Sequence, residues 1–135
     1  MIRSKLMLFA ENIIRDAQTN NISAINIIEE FSSPAFPLFL AGFNVLNLLE
    51  REKDDEQTIS LLLKIFLNED ELTSLDIHMD FQDKLGNRNI VTINGLVLPN
   101  SGILRAVLLH NEKEFASHEV SVQKIGETDK KVAIA

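Results

Sequence analysis

The sequence contains no cysteine, which excludes disulfide bonds, thiolate metal sites and cysteine nucleophiles together. Only five glycines are present. We find no phosphate-binding glycine loop, no Gly-x-Ser-x-Gly nucleophile motif and no His-Glu-x-x-His zinc motif. These absences favour a protein that is not an enzyme and holds no cofactor. The lack of cysteine also suits a reducing compartment, so we expect a cytoplasmic protein.

Long apolar runs and basic stripes are missing as well. The apolar run at residues 6–10 stops at Glu11 and Asn12, which makes it shorter than an export signal needs, and no stretch is long enough to span a bilayer. The chain carries 20 acidic and 13 basic residues, a net charge of −7. Because phosphate backbones and anionic lipids would be repelled, we expect neither nucleic acid nor a membrane as partner.

The length of 135 residues and the hydrophobic content of 45% are typical of one domain with one core. We therefore predict a single β-sandwich domain over residues 1–125. Residues 126–135 lose the apolar alternation and mix lysine, aspartate and small side chains. This composition predicts a frayed C-terminal tail.

Two stretches, residues 61–79 and 104–122, resemble each other at a constant offset and predict two β-hairpins. Four residues of the first turn region recur identically in the second: Asn68, Glu69, Glu71 and Ser74 become Asn111, Glu112, Glu114 and Ser117. Apolar residues alternate in the flanking segments, which is the pattern of half-buried antiparallel strands. The alternation predicts these core-facing residues: Leu61, Leu63, Ile65, Ile77, Met79, Leu104, Ala106, Leu108, Val120 and Val122.

The rest of the chain predicts further strands separated by turns. Residues 22–31 are rich in isoleucine and predict one returning strand. Residues 38–49 predict a long apolar strand that directs Phe39, Phe43 and Val45 toward the core. Gly42 is interpreted as a bulge, Gly95 as a possible register shift and Phe36-Pro37 as a candidate cis bond. The sum is about eight strands, which predicts an all-β antiparallel β-sandwich of the Ig-like or C2-like Greek-key type.

The N-terminal segment at residues 6–17 gives conflicting signals. Its apolar residues fall at helical spacing and would form one apolar stripe. The polar turn at residues 16–21 and the isoleucine-rich segment after it instead favour a strand pair. From the residues alone, helix and strand both remain open for this segment.

Several motifs occur together in an order typical of a known family. They are Phe9-Ala10-Glu11 with Ile14 and Asp16, Ile25-Asn26-Ile27-Ile28, Pro34-Ala35-Phe36-Pro37, and Asn94-Gly95-Leu96-Val97-Leu98-Pro99 with Gly102. Over residues 5–124 the sequence resembles a family of small bacterial single-domain β-sandwich proteins of unknown function. The resemblance implies one β-sandwich with an N-terminal strand pair, and it implies no activity, ligand or catalytic residue.

The faces of the repeated strands that point away from the core are too apolar for a fully hydrated sheet. The candidate interface residues on these faces are Leu62, Lys64, Phe66, Arg105, Val107 and Leu109. A neighbouring strand, a loop or the N-terminal segment would explain this composition, and so would a protein partner or a second copy. Arg105 among apolar neighbours has the composition of a contact hot spot. The leading hypothesis is a binding or protein-interaction module that self-associates through a sheet face or edge.

Histidines and loop carboxylates are the alternative candidates, for a zinc- or calcium-dependent module or an enzyme. His110 and His118 share the core-facing side of the second hairpin. They would be diagonal neighbours if residue 108 lies opposite His118, and further apart if residue 106 does. His78 belongs to the other hairpin, so no third ligand is evident.

Calcium would need converging oxygens from the loops. The available carboxylates are Asp16, Asp54, Asp55, Glu56 and Asp83, and no clustered Asp-x-Asp spacing occurs among them. We interpret these residues as solvated loop groups, and Arg15 with Asp16 as turn residues.

Overall fold

The computed structural model describes residues 1–126 and shows two packed β-sheets. The strands are β1 Arg3–Arg15, β2 Ile22–Ile27, β3 Glu30–Ser33, β4 Leu38–Glu50, β5 Thr58–Leu67, β6 Asp70–Asp80, β7 Gly86–Leu98, β8 Gly102–His110 and β9 Lys113–Lys124. The prediction of an all-β two-sheet sandwich is confirmed. The described residues form nine strands rather than about eight, and the Greek-key connection stays a prediction.

The extra strand arises because the predicted single strand at residues 22–31 is divided between the two sheets. One sheet has the order β2-β1-β4-β7 and the other β3-β9-β8-β5-β6. Asn26 adopts a φ of 55°, and the Ile28 amide donates a hydrogen bond to the Phe9 carbonyl at 2.8 Å. The chain then leaves β2 and crosses to β9. There β3 pairs in parallel, so the sandwich is not purely antiparallel.

The N-terminal segment is extended and not helical, because β1 covers it almost entirely. β1 pairs with β4 up to Ala10 and with β2 from Ala10 onward. Alternate side chains of β1 face the core, and Phe9 is fully buried against Phe43 with ring centroids 5.2 Å apart. The strand-pair interpretation of residues 6–17 is therefore right. Of the apolar residues that also match a helical stripe, Phe9 and Ala10 are buried, whereas Leu6 and Ile14 are 42% and 52% exposed.

The β1–β2 hairpin folds back over the outside of the four-stranded sheet. Arg88 lies in the row of Leu48 and Leu6, and its Nη2 donates a hydrogen bond to Asn20 Oδ1 in the hairpin turn at 3.1 Å. A straight hairpin would place that turn about 30 Å beyond this row at about 3.4 Å per residue. Leu46 points outward in this sheet but is only 3% exposed. The hairpin turn thus reaches the outside of the four-stranded sheet at Arg88.

The side chains that face the core change from even-numbered to odd-numbered residues near residue 41 of β4, and from odd-numbered to even-numbered residues near residue 95 of β7. Leu38, Leu40, Leu96 and Leu98 contact the core at one end, whereas Phe43, Val45 and Ile93 do so at the other. The pairing register stays constant across the change, so the predicted bulge at Gly42 and register shift at Gly95 are wrong. Gly95 has a φ of +70°, which allows the local reversal.

The prediction that Phe39 faces the core assumed that inward and outward side chains alternate without a break along β4. Phe39 is instead 63% exposed, opposite Val97, whereas Phe43 and Val45 are buried as expected. The Phe36–Pro37 peptide bond is cis.

The two repeated blocks form the hairpins β5–β6 and β8–β9, which lie side by side through the β5–β8 pairing. All ten residues predicted to face the core are buried. The likeness extends to irregular features: register shifts occur between Ile65 and Phe66 and between Leu108 and Leu109. Asn68 and Asn111 begin the turns with φ of 55° and 52°. Asparagine tolerates this left-handed conformation, which explains its recurrence.

One hydrophobic cluster joins both sheets. Its large, nearly inaccessible members include Phe9, Phe43, Leu63, Ile65 and Phe81. No helix capable of crossing a membrane is found among the described residues. The predicted frayed tail falls on residues 126–135 and, beyond Gly126, lies outside the described residues.

Candidate functional site

The six candidate interface residues lie together on the outer face of the five-stranded sheet. The strand registers arrange this face in three rows: Asp76, Leu62, Leu109 and Glu114; Ser74, Lys64, Val107 and Ser117; Glu71, Phe66, Arg105 and Glu119. We call this surface the outer face. All nine strands belong to the two sheets, and no strand of residues 1–126 lies over the outer face.

The exposure of the six residues differs from the expectation in one case. Val107 is only 3% exposed, although it points outward in the central strand β8. Its neighbours across the sheet are Lys64 and Ser117, and Arg105 and Leu109 flank it on the same face of β8. The other five are partly buried, and Ile103 at the end of the same strand is 42% exposed.

The two basic side chains of the outer face are held in place by contacts on the face itself. Arg105 Nη1 lies 3.0 Å from Glu114 Oε1, and its guanidinium lies 5.3 Å from the centroid of the Phe66 ring. Lys64 Nζ lies 2.9 Å from Glu71 Oε1. Exposed ion pairs contribute little to stability, but the stacking on Phe66 gives Arg105 a defined position.

A shallow depression of about 460 Å³ lies at one end of the outer face. Leu62 and Leu109 supply apolar lining, and Lys64, Asp76 and Glu112 supply charged groups around it. Asp76 and Glu112 form no ion pair with any residue between 1 and 126. The outer face therefore combines an apolar centre with an acidic border, a common arrangement in protein interfaces.

The structure separates His110 from His118. Ala106 lies opposite His118, and His110 lies opposite Lys113 at the hairpin turn, so the wider of the two predicted registers is right. The two positions are about 13 Å apart along β8 at about 3.3 Å per residue, too far to share an ion. The His118 ring packs edge-on against Phe9 at 5.0 Å between centroids, and burial lowers the pKa of His118 below its ordinary value.

His78 has a polar partner, Ser60, and the sequence did not predict this pair because the two residues lie on different strands. Ser60 lies opposite His78, and its Oγ is 3.0 Å from His78 Nδ1. Both residues line an open groove of about 830 Å³, together with His110 and Asp55. Within residues 1–126 no carboxylate is hydrogen-bonded to His78, so the pair lacks the third member of a nucleophile-activating triad.

Three of the five candidate loop carboxylates, Asp16, Asp55 and Asp83, have hydrogen-bond or ion-pair partners within the protein. Asp55 Oδ2 lies 2.7 Å from the Met1 ammonium, and this contact lowers the pKa of Asp55 and raises that of the Met1 amine. Asp83 accepts a hydrogen bond from Gln57. Asp16 accepts the backbone amides of Gln18 and Thr19, which lowers its pKa. No group of three possible metal ligands occurs in the described part of the chain.

Comparisons with known proteins give a weak likeness of fold. An immunoglobulin-like protein from Pseudomonas aeruginosa has a TM-score of 0.45 and 10% identity, over 90% of this chain and 96% of the other. A β-glucosidase from Listeria innocua in complex with isofagomine has a TM-score of 0.43 and 9% identity, over 89% of this chain but 16% of the enzyme. No family model or curated protein matches the chain. Similarity at this level carries no argument about function.

Proposed function

We propose that the protein is a non-enzymatic interaction module that binds a protein partner through the outer face. The observation that carries the proposal is the apolar centre of this face, which no strand of residues 1–126 covers. Acidic side chains border this centre, and a depression lies at one end of the face. A fully hydrated sheet face would carry polar residues at these positions. Here the two central strands β5 and β8 place Leu62, Phe66 and Leu109 there instead.

The chemistry of the face indicates the kind of partner. The depression at Leu62 and Leu109 suits an apolar anchor side chain. Asp76 and Glu112 beside it have no ion-pair partner among residues 1–126, so a complementary surface would present lysine or arginine around that anchor. Two copies meeting face to face would oppose acidic borders, which favours a different partner with a basic border.

The experiment is an affinity capture from a lysate of the source organism with four matched baits. They are the wild-type chain, Leu109→Glu in the depression, Phe66→Glu beside Arg105, and Ile27→Glu as the control. Ile27 is 53% exposed and lies in the other sheet. We expect a protein that wild type and control retain, that both outer-face variants lose, and that raised salt elutes because screening weakens the charged border.

Three outcomes contradict the proposal. The first is a partner that the outer-face variants retain as well as wild type does. The second is a partner that all three variants lose together, which indicates contact elsewhere or general disruption. The third is the absence of any protein whose capture depends on the outer face. Capture of the chain itself through this face would favour self-association over a separate partner.

A further inference from the structure

The four sheet edges of the molecule differ in how well they discourage pairing with another strand. The edge strands are β2, β3, β6 and β7. β2 and β3 have only six and four residues. β6 is long but carries Asp70, Glu71, Asp76 and Asp80. Shortness and charge are the usual protections of a sheet edge.

β7 has neither protection over most of its length. It is 13 residues long, and residues 89–98 contain no charged residue and no proline. Its first residues are held near β6, because Asn87 Nδ2 donates to the Asp80 carbonyl at 2.7 Å. From Ile90 to Leu98 the side of β7 away from β4 has no neighbouring strand among residues 1–126. Within the described part of the chain, every second residue there has no strand partner for its backbone amide and carbonyl.

Exposed apolar side chains flank the same edge. Ile90 and Val97 are 41% and 48% exposed, and Phe39, opposite Val97 on β4, is 63% exposed. An added strand would shield these side chains while pairing the free backbone groups. Burial of apolar side chains and formation of backbone hydrogen bonds would thus both stabilise a strand added at the β7 edge.

We infer that a second copy of this chain pairs antiparallel along β7, joining the two four-stranded sheets into one continuous sheet. An edge that offers alternate amides and carbonyls is complementary to itself under a two-fold axis. Each copy has a net charge of −7, and residues 89–98 allow the approach without opposing two charged side chains. The interface belongs to the sheet without the outer face, so it does not depend on the proposed partner site.

The test combines sedimentation with backbone hydrogen exchange. We expect a dimer whose fraction rises with concentration. In the dimer about every second amide within residues 90–98 should exchange at least tenfold more slowly than in dilute monomer, because only outward amides gain acceptors. The β2 amides, on the opposite edge, should not change. A strict monomer overturns the inference, and so does a dimer in which β7 exchange is unaltered.

A pair of proline variants separates pairing from folding. Val91→Pro and Thr92→Pro remove neighbouring amides, of which one faces β4 and the other faces outward. The variant that loses an amide facing β4 should unfold more readily, because a hydrogen bond of the sheet is lost. The variant that loses an outward amide should keep its melting temperature, because an edge strand tolerates proline where the amide faces solvent. The stable variant should lose dimerisation, and Ala24→Pro, which removes an outward amide from the β2 edge, should not. If the stable β7 variant dimerises like wild type, the inference is overturned. Phe66→Glu should leave the dimer intact, which distinguishes failure of this inference from failure of the partner proposal.

Discussion

Arg51 is the charged residue whose replacement should affect stability most, because it is only 7% exposed and organises the loop beside the large groove. Its Nε donates to the Lys84 carbonyl at 2.8 Å. Its Nη1 lies 3.3 Å from the carbonyls of Glu52, Lys53 and Asp55. The guanidinium also lies 5.7 Å from the Phe81 ring centroid. We expect Arg51→Met to break this network while keeping most of the apolar stem.

The magnitude follows from counting these contacts conservatively. The short bond from a charged donor contributes about 1.5 kcal/mol. The three long contacts share one nitrogen, so together they count as about one bond of about 1 kcal/mol, and the ring contact adds about 0.5 kcal/mol. The expected loss is therefore about 3 kcal/mol, or about 10 °C in Tm for a domain of this size.

Urea denaturation of Arg51→Met measures the loss directly as a lower midpoint at an unchanged m-value. Arg15→Met is the matched control, because Arg15 is exposed and makes one long hydrogen bond to Asn20 at 3.4 Å. We expect the control to stay within about 0.5 kcal/mol of wild type. A loss below about 1 kcal/mol for Arg51→Met would refute the reasoning, since it would mean that water replaces the guanidinium at these carbonyls.

Three further predictions concern turns, pH and metals. Gly102→Ala should cost about 1–3 kcal/mol, because a Cβ there would clash with the Asn68 side-chain amide and the residue has a φ of +148°. A double-mutant cycle with Asn68→Ala should be non-additive, and additivity would contradict the contact. Burial lowers the pKa of His118, so its contribution to stability is complete above its ordinary pKa of about 6.5 and is lost as pH falls toward the folded value. Wild type should therefore lose more stability than His118→Gln between neutral and acidic pH, and parallel pH profiles would contradict this. Zinc and calcium should not shift Tm, and a shift with either ion would revive the metal-dependent alternative.

Alternation in the sequence predicted the orientation of side chains better in the five-stranded sheet than in the four-stranded sheet. In the β5–β6 and β8–β9 hairpins, all ten residues that alternation predicted to face the core are buried. Ile59 and Leu67 at the two ends of β5 are buried as well, and the prediction did not include them. In β4 the same reasoning was wrong for Phe39, because the facing reverses near Gly95 on the partner strand. Reversals of this kind depend on two strands together, and the spacing within one strand does not reveal them.

For the candidate site, the sequence identified the outward residues but not their surroundings. Leu62, Phe66 and Leu109 lie on one face because period-two alternation places them there. The burial of Val107 and the pairing of Ser60 with His78 depend on which strands are neighbours. One hypothesis based on residue type alone, the shared site of His110 and His118, is wrong because the two positions lie far apart along the hairpin. The calcium hypothesis stays a prediction.

The sequence by itself determined the all-β class, the two repeated hairpins and the residues that face the core there, because these follow from local alternation and turn chemistry. Only the tertiary structure decided that residues 22–31 divide between two sheets, that the first hairpin folds back toward β7, and that β7 is left at an edge. The physical reason is that local spacing sets which side of a strand is apolar. Which strand or surface meets that side depends on contacts between residues far apart in the chain.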